Sequence, residues 1–178
     1  LWKPTDKTSV RIIGDAASRD DECCYAAVLR PGGPGALGRT VYDVVKLING
    51  YDGTANHNTV EQQIGYANRT HPQLIDDYGI SAEVNHDFGW ANFTSITAYR
   101  DWKLEGGSDA DYTSADFLWT DPDVGFQHFK TFTQEFRLNG SADWIDWLVG
   151  AFYSNEKLSR ETSTLDGTDT EAFLSLYN

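Results

Sequence analysis

Between Thr131 and Leu138 apolar and polar positions alternate along the chain: Phe132, Phe136 and Leu138 share one parity, interrupted by Gln134, while Thr131, Thr133, Glu135 and Arg137 fill the other. Successive side chains of an extended strand point to opposite sides, so this stretch has one apolar and one polar face. Helical spacing would scatter the same charges around a cylinder. Ile80 to Asp87 divides in the same way, with Ile80, Ala82 and Val84 on one side and Ser81, Glu83, Asn85 and Asp87 on the other. Val10, Ile12, Gly14 and Ala16 alternate with Arg11, Ile13, Asp15 and Ala17, a less clean strand because Ile13 breaks the polar face. Ala91 to Lys103 and Trp147 to Lys157 are rich in β-branched and aromatic residues, as strands are. About five strands are predicted in this way, and a sixth if Glu171 to Tyr177 is one.

The connections alternate in length. Pro4-Thr5-Asp6-Lys7, Asp87-Phe88-Gly89-Trp90 and Ser141 to Asp146 are predicted as tight turns. Between them, roughly Asp20 to Tyr78, Gly106 to Gln127 and Ser163 to Thr170 are full of Gly, Asp, Ser, Asn and Thr and read as long loops. Short turns on one side and long loops on the other is the arrangement of outer-membrane barrels. The first loop is too long to be featureless. Within it Val41, Val44, Val45 and Ile48 fall at helical spacing and Asn49-Gly50 supplies a stop, which predicts one short helix packed on neighbouring loop segments.

Composition narrows the class. Aromatic residues make up 13% of the 178 positions and no apolar run approaches the roughly 20 residues a transmembrane helix needs, so a membrane protein of the helical kind is excluded. The N-terminal residues have no charged segment followed by an apolar one, and the absence of an initial Met leads to the expectation that the chain begins mid-protein. A formal charge of −13 without any Lys/Arg cluster argues against nucleic-acid binding. The only cysteines, Cys23 and Cys24, are adjacent, which fits neither a metal-ligand spacing nor a disulfide framework. They are read as a structural feature of one loop or as pairing with a cysteine outside this sequence, with a redox role as the lesser alternative.

Phe132-Thr133-Gln134-Glu135-Phe136-Arg137-Leu138, followed by Asp146-Trp147-Leu148-Val149-Gly150-Ala151-Phe152-Tyr153, closely resembles a hairpin of TonB-dependent receptor barrels. In that family a Gln-Glu-(aromatic or Leu)-Arg-Leu strand precedes an Asp-Trp-(apolar)-Gly-(apolar)-Phe-Tyr strand. Thr94 to Asp101 is similar to a strand one hairpin earlier, and Ser9 to Asp15 to the strand before that. The resemblance implies an all-β fold of antiparallel up-and-down hairpins, residues 1–178 being part of a barrel of about 22 strands whose plug and remaining strands are absent. It also implies an outer-membrane location, contact with outer-membrane lipid, and coupling to the TonB complex through the missing N-terminal region. The function implied is import of a small extracellular ligand such as a ferric siderophore, a vitamin or a glycan.

On that reading Glu135 and Arg137 face the lumen. As a catalytic pair they have no nucleophile or base at recognisable spacing, and His57, His71, His86 and His128 are isolated, so neither an enzyme nor a cofactor or zinc site is expected. Asp109, Asp111, Asp116, Asp121 and Asp123 invite a calcium reading, but the EF-hand spacing fails and a solvated loop is the simpler expectation. Phe117 and Trp119 interrupt this acidic loop as an aromatic pair beside polar groups, the candidate ligand contacts, with loop packing as the alternative. The runner-up function is a secreted β-sandwich module whose exposed tryptophans stack on sugars, although loop-length asymmetry argues against a sandwich.

Overall fold

The computed structural model describes residues 1–27, 32–50 and 62–178. Among the described residues strand accounts for 56% and helix for 10%, an all-β composition with two short helices. By contacts it divides into two compact units, one built from 1–19, 75–104 and 127–160 and the other from 20–74, 105–126 and 161–178.

The first unit is a sheet of long strands: β1 (Trp2–Thr5), β2 (Thr8–Glu22), β3 (Pro72–Asp87), β4 (Asn92–Gly106), β7 (Phe126–Ala142) and β8 (Ile145–Glu161), hydrogen-bonded in the order β1-β2-β3-β4-β7-β8. The sheet is open, with β1 at one edge and β8 at the other. Each strand lies beside its neighbour in the chain wherever the connection is short, as in an up-and-down meander. The turns are tighter than the sequence pattern suggests, because strand continues into Thr5 and Ala142 and resumes at Thr8 and Ile145. In the β3–β4 turn Gly89 adopts φ +87, a conformation that favours glycine, and its N–H donates to Asp87 Oδ1 at 2.6 Å. All three turns share one end of this sheet, since Asp87 N donates to Lys7 O at 2.8 Å and the Trp90 ring lies 6.3 Å from that of Trp147.

Contacts across strands fix the two faces. Phe93 stacks with Phe136, Phe132 meets Tyr153, and Thr8 bonds His86, which puts the even positions of β2, β3 and β7 with the odd ones of β4 and β8. Arg100 reaches both Asp15 and Asp77 on the opposite face, and Thr94 Oγ1 donates to Asn85 Oδ1 there. The parity read for Thr131 to Leu138 is therefore real. Gln134, the polar interruption of the apolar set, is satisfied within the sheet: its Oε1 accepts from Thr97 Oγ1 at 2.6 Å and its Nε2 donates to Ser95 Oγ and to the Ile96 carbonyl, each at 3.1 Å.

The second unit is made from the long connections, which are not featureless. A small antiparallel sheet joins β5 (Ser108–Asp109), β6 (Leu118–Thr120) and β9 (Thr164–Asp166) in the order β5-β6-β9. The predicted helix is α1 (Val41–Asn49), with Thr40 and Asp43 forming a reciprocal capping box and Gly50 closing it at φ +75. Its apolar stripe packs as expected: Val45, Ala115 and Phe117 form a core with Val41, Ile48 and Phe173 against it. The segment Glu171 to Tyr177 is not a strand but most of α2 (Thr170–Tyr177), whose Phe173 and Tyr177 lie four apart on one face and stack at 5.1 Å. Within the loop read as Asp20 to Tyr78, β2 runs on to Glu22 and β3 already begins at Pro72, while 28–31 and 51–61 lie outside the described residues.

Candidate functional site

The five acidic residues are not uniformly solvated: Asp109, in β5, is buried, Asp111, Asp116 and Asp121 are half-buried, and Asp123 is exposed. Asp109 is fully buried and accepts three backbone N–H groups, from Asn68 at 2.9 Å and from Asp111 and Tyr112 at 3.0 Å each. Asp111 accepts from the N–H groups of Thr113, Phe117 and Leu118 and from the Thr113 hydroxyl. Burial is the first cause of the shift that pushes its carboxyl above the usual range, against those hydrogen bonds. Carboxylates whose lone pairs are already taken by backbone donors act as internal anchors for an irregular chain, supplying the acceptors that a helix or sheet ladder would otherwise provide.

Asp116 is tied in the same way but to a cation. The Arg69 guanidinium donates to it twice, Nε to Oδ1 at 2.7 Å and Nη2 to Oδ2 at 2.9 Å, and the Thr168 N–H and hydroxyl donate at 2.9 and 3.1 Å. The Arg69 bond is the first cause holding this carboxyl well below the usual carboxylate range, and Arg69 in turn is raised by the same bond. The guanidinium carbon stands 4.1 Å from the centre of the Trp119 ring, a cation–π contact. Arg69, Thr70, Pro72, Ser108, Trp119, Thr120 and Pro122 line a cavity of about 220 Å³. It presents one aromatic edge, one compensated cation and several hydroxyls, a surface suited to a small polar ligand.

Of the two aromatic residues singled out in the sequence, only Trp119 reaches this cavity. Phe117 is 6% exposed, its ring 4.3 Å from that of Phe173, so it packs inside the loop unit and does not line this cavity. Arg69 carried no sequence signal, since its partner lies 47 residues away.

Glu135 and Arg137 lie on the polar face of the large sheet, Arg137 Nε donating to Glu135 Oε1. On the same face Arg100 bridges Asp77 at 2.5 Å and Asp15 at 2.8 Å, joining three strands. Period-two parity could have found this bridge, because Arg100 shares the parity of Thr94 while Asp15 and Asp77 occupy the polar positions of their strands. Among the described residues no group of three or more His, Cys, Asp or Glu is placed to hold a metal ion. Compared with known proteins, the chain matches no family model, no curated protein and no solved structure.

Proposed function

We propose that this chain is part of the membrane-spanning wall of a TonB-dependent outer-membrane receptor, which imports a scarce nutrient such as a ferric siderophore, a vitamin or a glycan. The observation that carries the reading is the two-sidedness of the large sheet. One face leaves Ile12 68%, Ile80 57%, Phe136 45% and Tyr153 56% exposed, and the other holds the Arg100 and Arg137 ion pairs, with Ile13, Leu148 and Phe152 as its exposed apolar exceptions. A patch of that kind is too apolar to be left facing water. Lipid outside and a polar lumen inside would satisfy both faces at once, and the strands of β2 to β8 in this sheet, 15 to 17 residues each, exceed the roughly 9 to 11 residues a tilted transmembrane strand needs.

Two further features support it. Trp90 and Trp144, exposed 65% and 85%, join Phe88 and Trp147 at the end where the tight turns lie, as an aromatic girdle sits at a membrane interface. The open edges at β1 and β8 expose unpaired backbone groups, which further strands of a closed barrel would cover. A soluble sugar-binding sandwich needs a second sheet packed on the first around a dry core, and the unit that contains the large sheet has none among its described residues. In the receptor the loop unit would carry the ligand contacts, with Trp119 and Arg69 at its cavity.

The test is collision of spin labels with oxygen, which concentrates in lipid, and with a nickel chelate, which stays in water. In the whole protein refolded into vesicles, labels at positions 132 and 136 should favour oxygen and labels at 135 and 137 the chelate. Equal preference at all four positions would refute a lipid-facing sheet.

A further inference from the structure

The adjacent cysteines are joined to each other. Cys24 has φ +74, a left-handed backbone that a residue with a Cβ rarely adopts, and Tyr25 follows immediately. The N–H of Cys23 donates to the carbonyl of His71 at 3.1 Å, so the cysteine pair is registered beside that residue. The Tyr25 ring covers the His71 ring with centroids 4.1 Å apart, and Tyr112 flanks it at 6.0 Å. His71 is only 1% exposed, yet neither of its ring nitrogens has a hydrogen-bond partner among the described residues. Orphaned buried nitrogens of this kind call for an explanation. Cys24 itself is exposed and its Sγ accepts from Gln73 Nε2 at 3.7 Å, whereas Cys23 is half-buried.

We propose that the Cys23–Cys24 bond is a reductively modifiable clasp that holds Tyr25 over His71, and that a dithiol opening the clasp exposes the imidazole. One thiolate of the dithiol attacks the accessible Cys24 Sγ, and the Cys23 sulfur leaves with the electron pair of the S–S bond and takes a proton. The second thiolate then displaces Cys24, which is also protonated, and the reductant closes into its own disulfide. Two electrons and two protons have passed to the cysteine pair. With the ring opened, Cys24 returns to negative φ, the direction of the chain entering Tyr25 changes, and the His71 nitrogens gain water. The disulfide holds the Tyr25 cover in place, and that cover keeps water from the His71 nitrogens. This inference stands independently of the receptor reading.

The experiment is acylation of histidines by diethylpyrocarbonate, mapped by mass spectrometry, on the whole protein in two forms. One is oxidised; the other has been reduced with dithiothreitol, alkylated at Cys23 and Cys24 with iodoacetamide, and freed of reagent. His71 should be protected in the first and react at least tenfold faster in the second, with His86 and His128 unchanged. Failure of dithiothreitol to open the bond in the folded protein would overturn the proposal, as would an unaltered His71 rate or a rise at all three histidines together. Tyr25→Ala, with the disulfide intact, should by itself make His71 reactive; continued protection would show that Tyr25 is not the cover.

Discussion

The rings of Phe93 and Phe136 stand 6.1 Å apart and 21° from parallel on the neighbouring strands β4 and β7, while Arg137, one residue on, pairs with Glu135 on the other side of the sheet. Two adjacent residues thus sample opposite environments. On the proposed receptor reading, Phe136→Arg in the whole protein should cost about 2 to 4 kcal/mol, the penalty of a lipid-facing Arg at mid-depth. Arg137→Phe loses an ion pair whose partners are 46% and 28% exposed, a pair screened by solvent and so worth far less than that penalty. Denaturant unfolding of both variants in lipid vesicles measures the difference, and an equal or inverted order would mean that the faces are reversed or that the strand never meets lipid.

Gln134 and Thr97 should be coupled. Thr97→Val takes the donor from Gln134 Oε1, and Gln134→Leu takes the acceptor from Thr97, so each single change leaves a polar group short of a partner on an apolar face. Each should cost on the order of 1 to 2 kcal/mol, and the double variant should recover about 1 kcal/mol of the sum because both partners are then apolar. Strict additivity in an unfolding cycle would show that the bond contributes nothing to the sheet.

Acid should loosen the loop unit through Asp116. Its carboxyl is depressed chiefly by Arg69, so the stability it contributes is fully present above the unfolded value near 3.9 and is lost as the pH falls from there through the folded value. Asp111 has the opposite sign: burial raises it, so its contribution is present at low pH and declines as the pH rises through its folded value. Asp116→Asn should cost on the order of 2 kcal/mol at neutral pH and flatten the acid response. Hydrogen exchange of the backbone N–H of Thr168, which donates to Asp116, followed from pH 7 to pH 2 reads both effects. An acid response that survives the substitution would assign it to another carboxylate.

What was legible in the sequence is what is local. The parity of Thr131 to Leu138 and the stripe of Val41, Val44, Val45 and Ile48 are written in consecutive residues, and both elements formed where the pattern put them. Gln134 looked like a flaw because its partners lie 37 to 39 residues away. Phe117 and Trp119 were indistinguishable as neighbours in an acidic stretch; only the placement of Phe173 and Arg69 sends one into the core and the other to a cavity. The aspartates suggested a hydrated loop because composition records charge and not the backbone donors that fold around it.

The loop unit draws on three stretches of chain separated by the strands of the large sheet. Its main ties span long separations: Arg69 to Asp116 closes 47 residues and the Asp116 N–H to Asp169 closes 53. Contacts of such high order wait on loop-closure entropy, which the sheet lowers by first bringing the strand ends together. Refolding should therefore be sequential, with the β3–β4 and β7–β8 hairpins forming early and the loop unit assembling last. A stopped-flow trace in which the protection of the Asp109 and Asp116 anchors lags behind the strand signal is the kinetic signature; simultaneous rise would mean that the long connections gather themselves without help from the sheet.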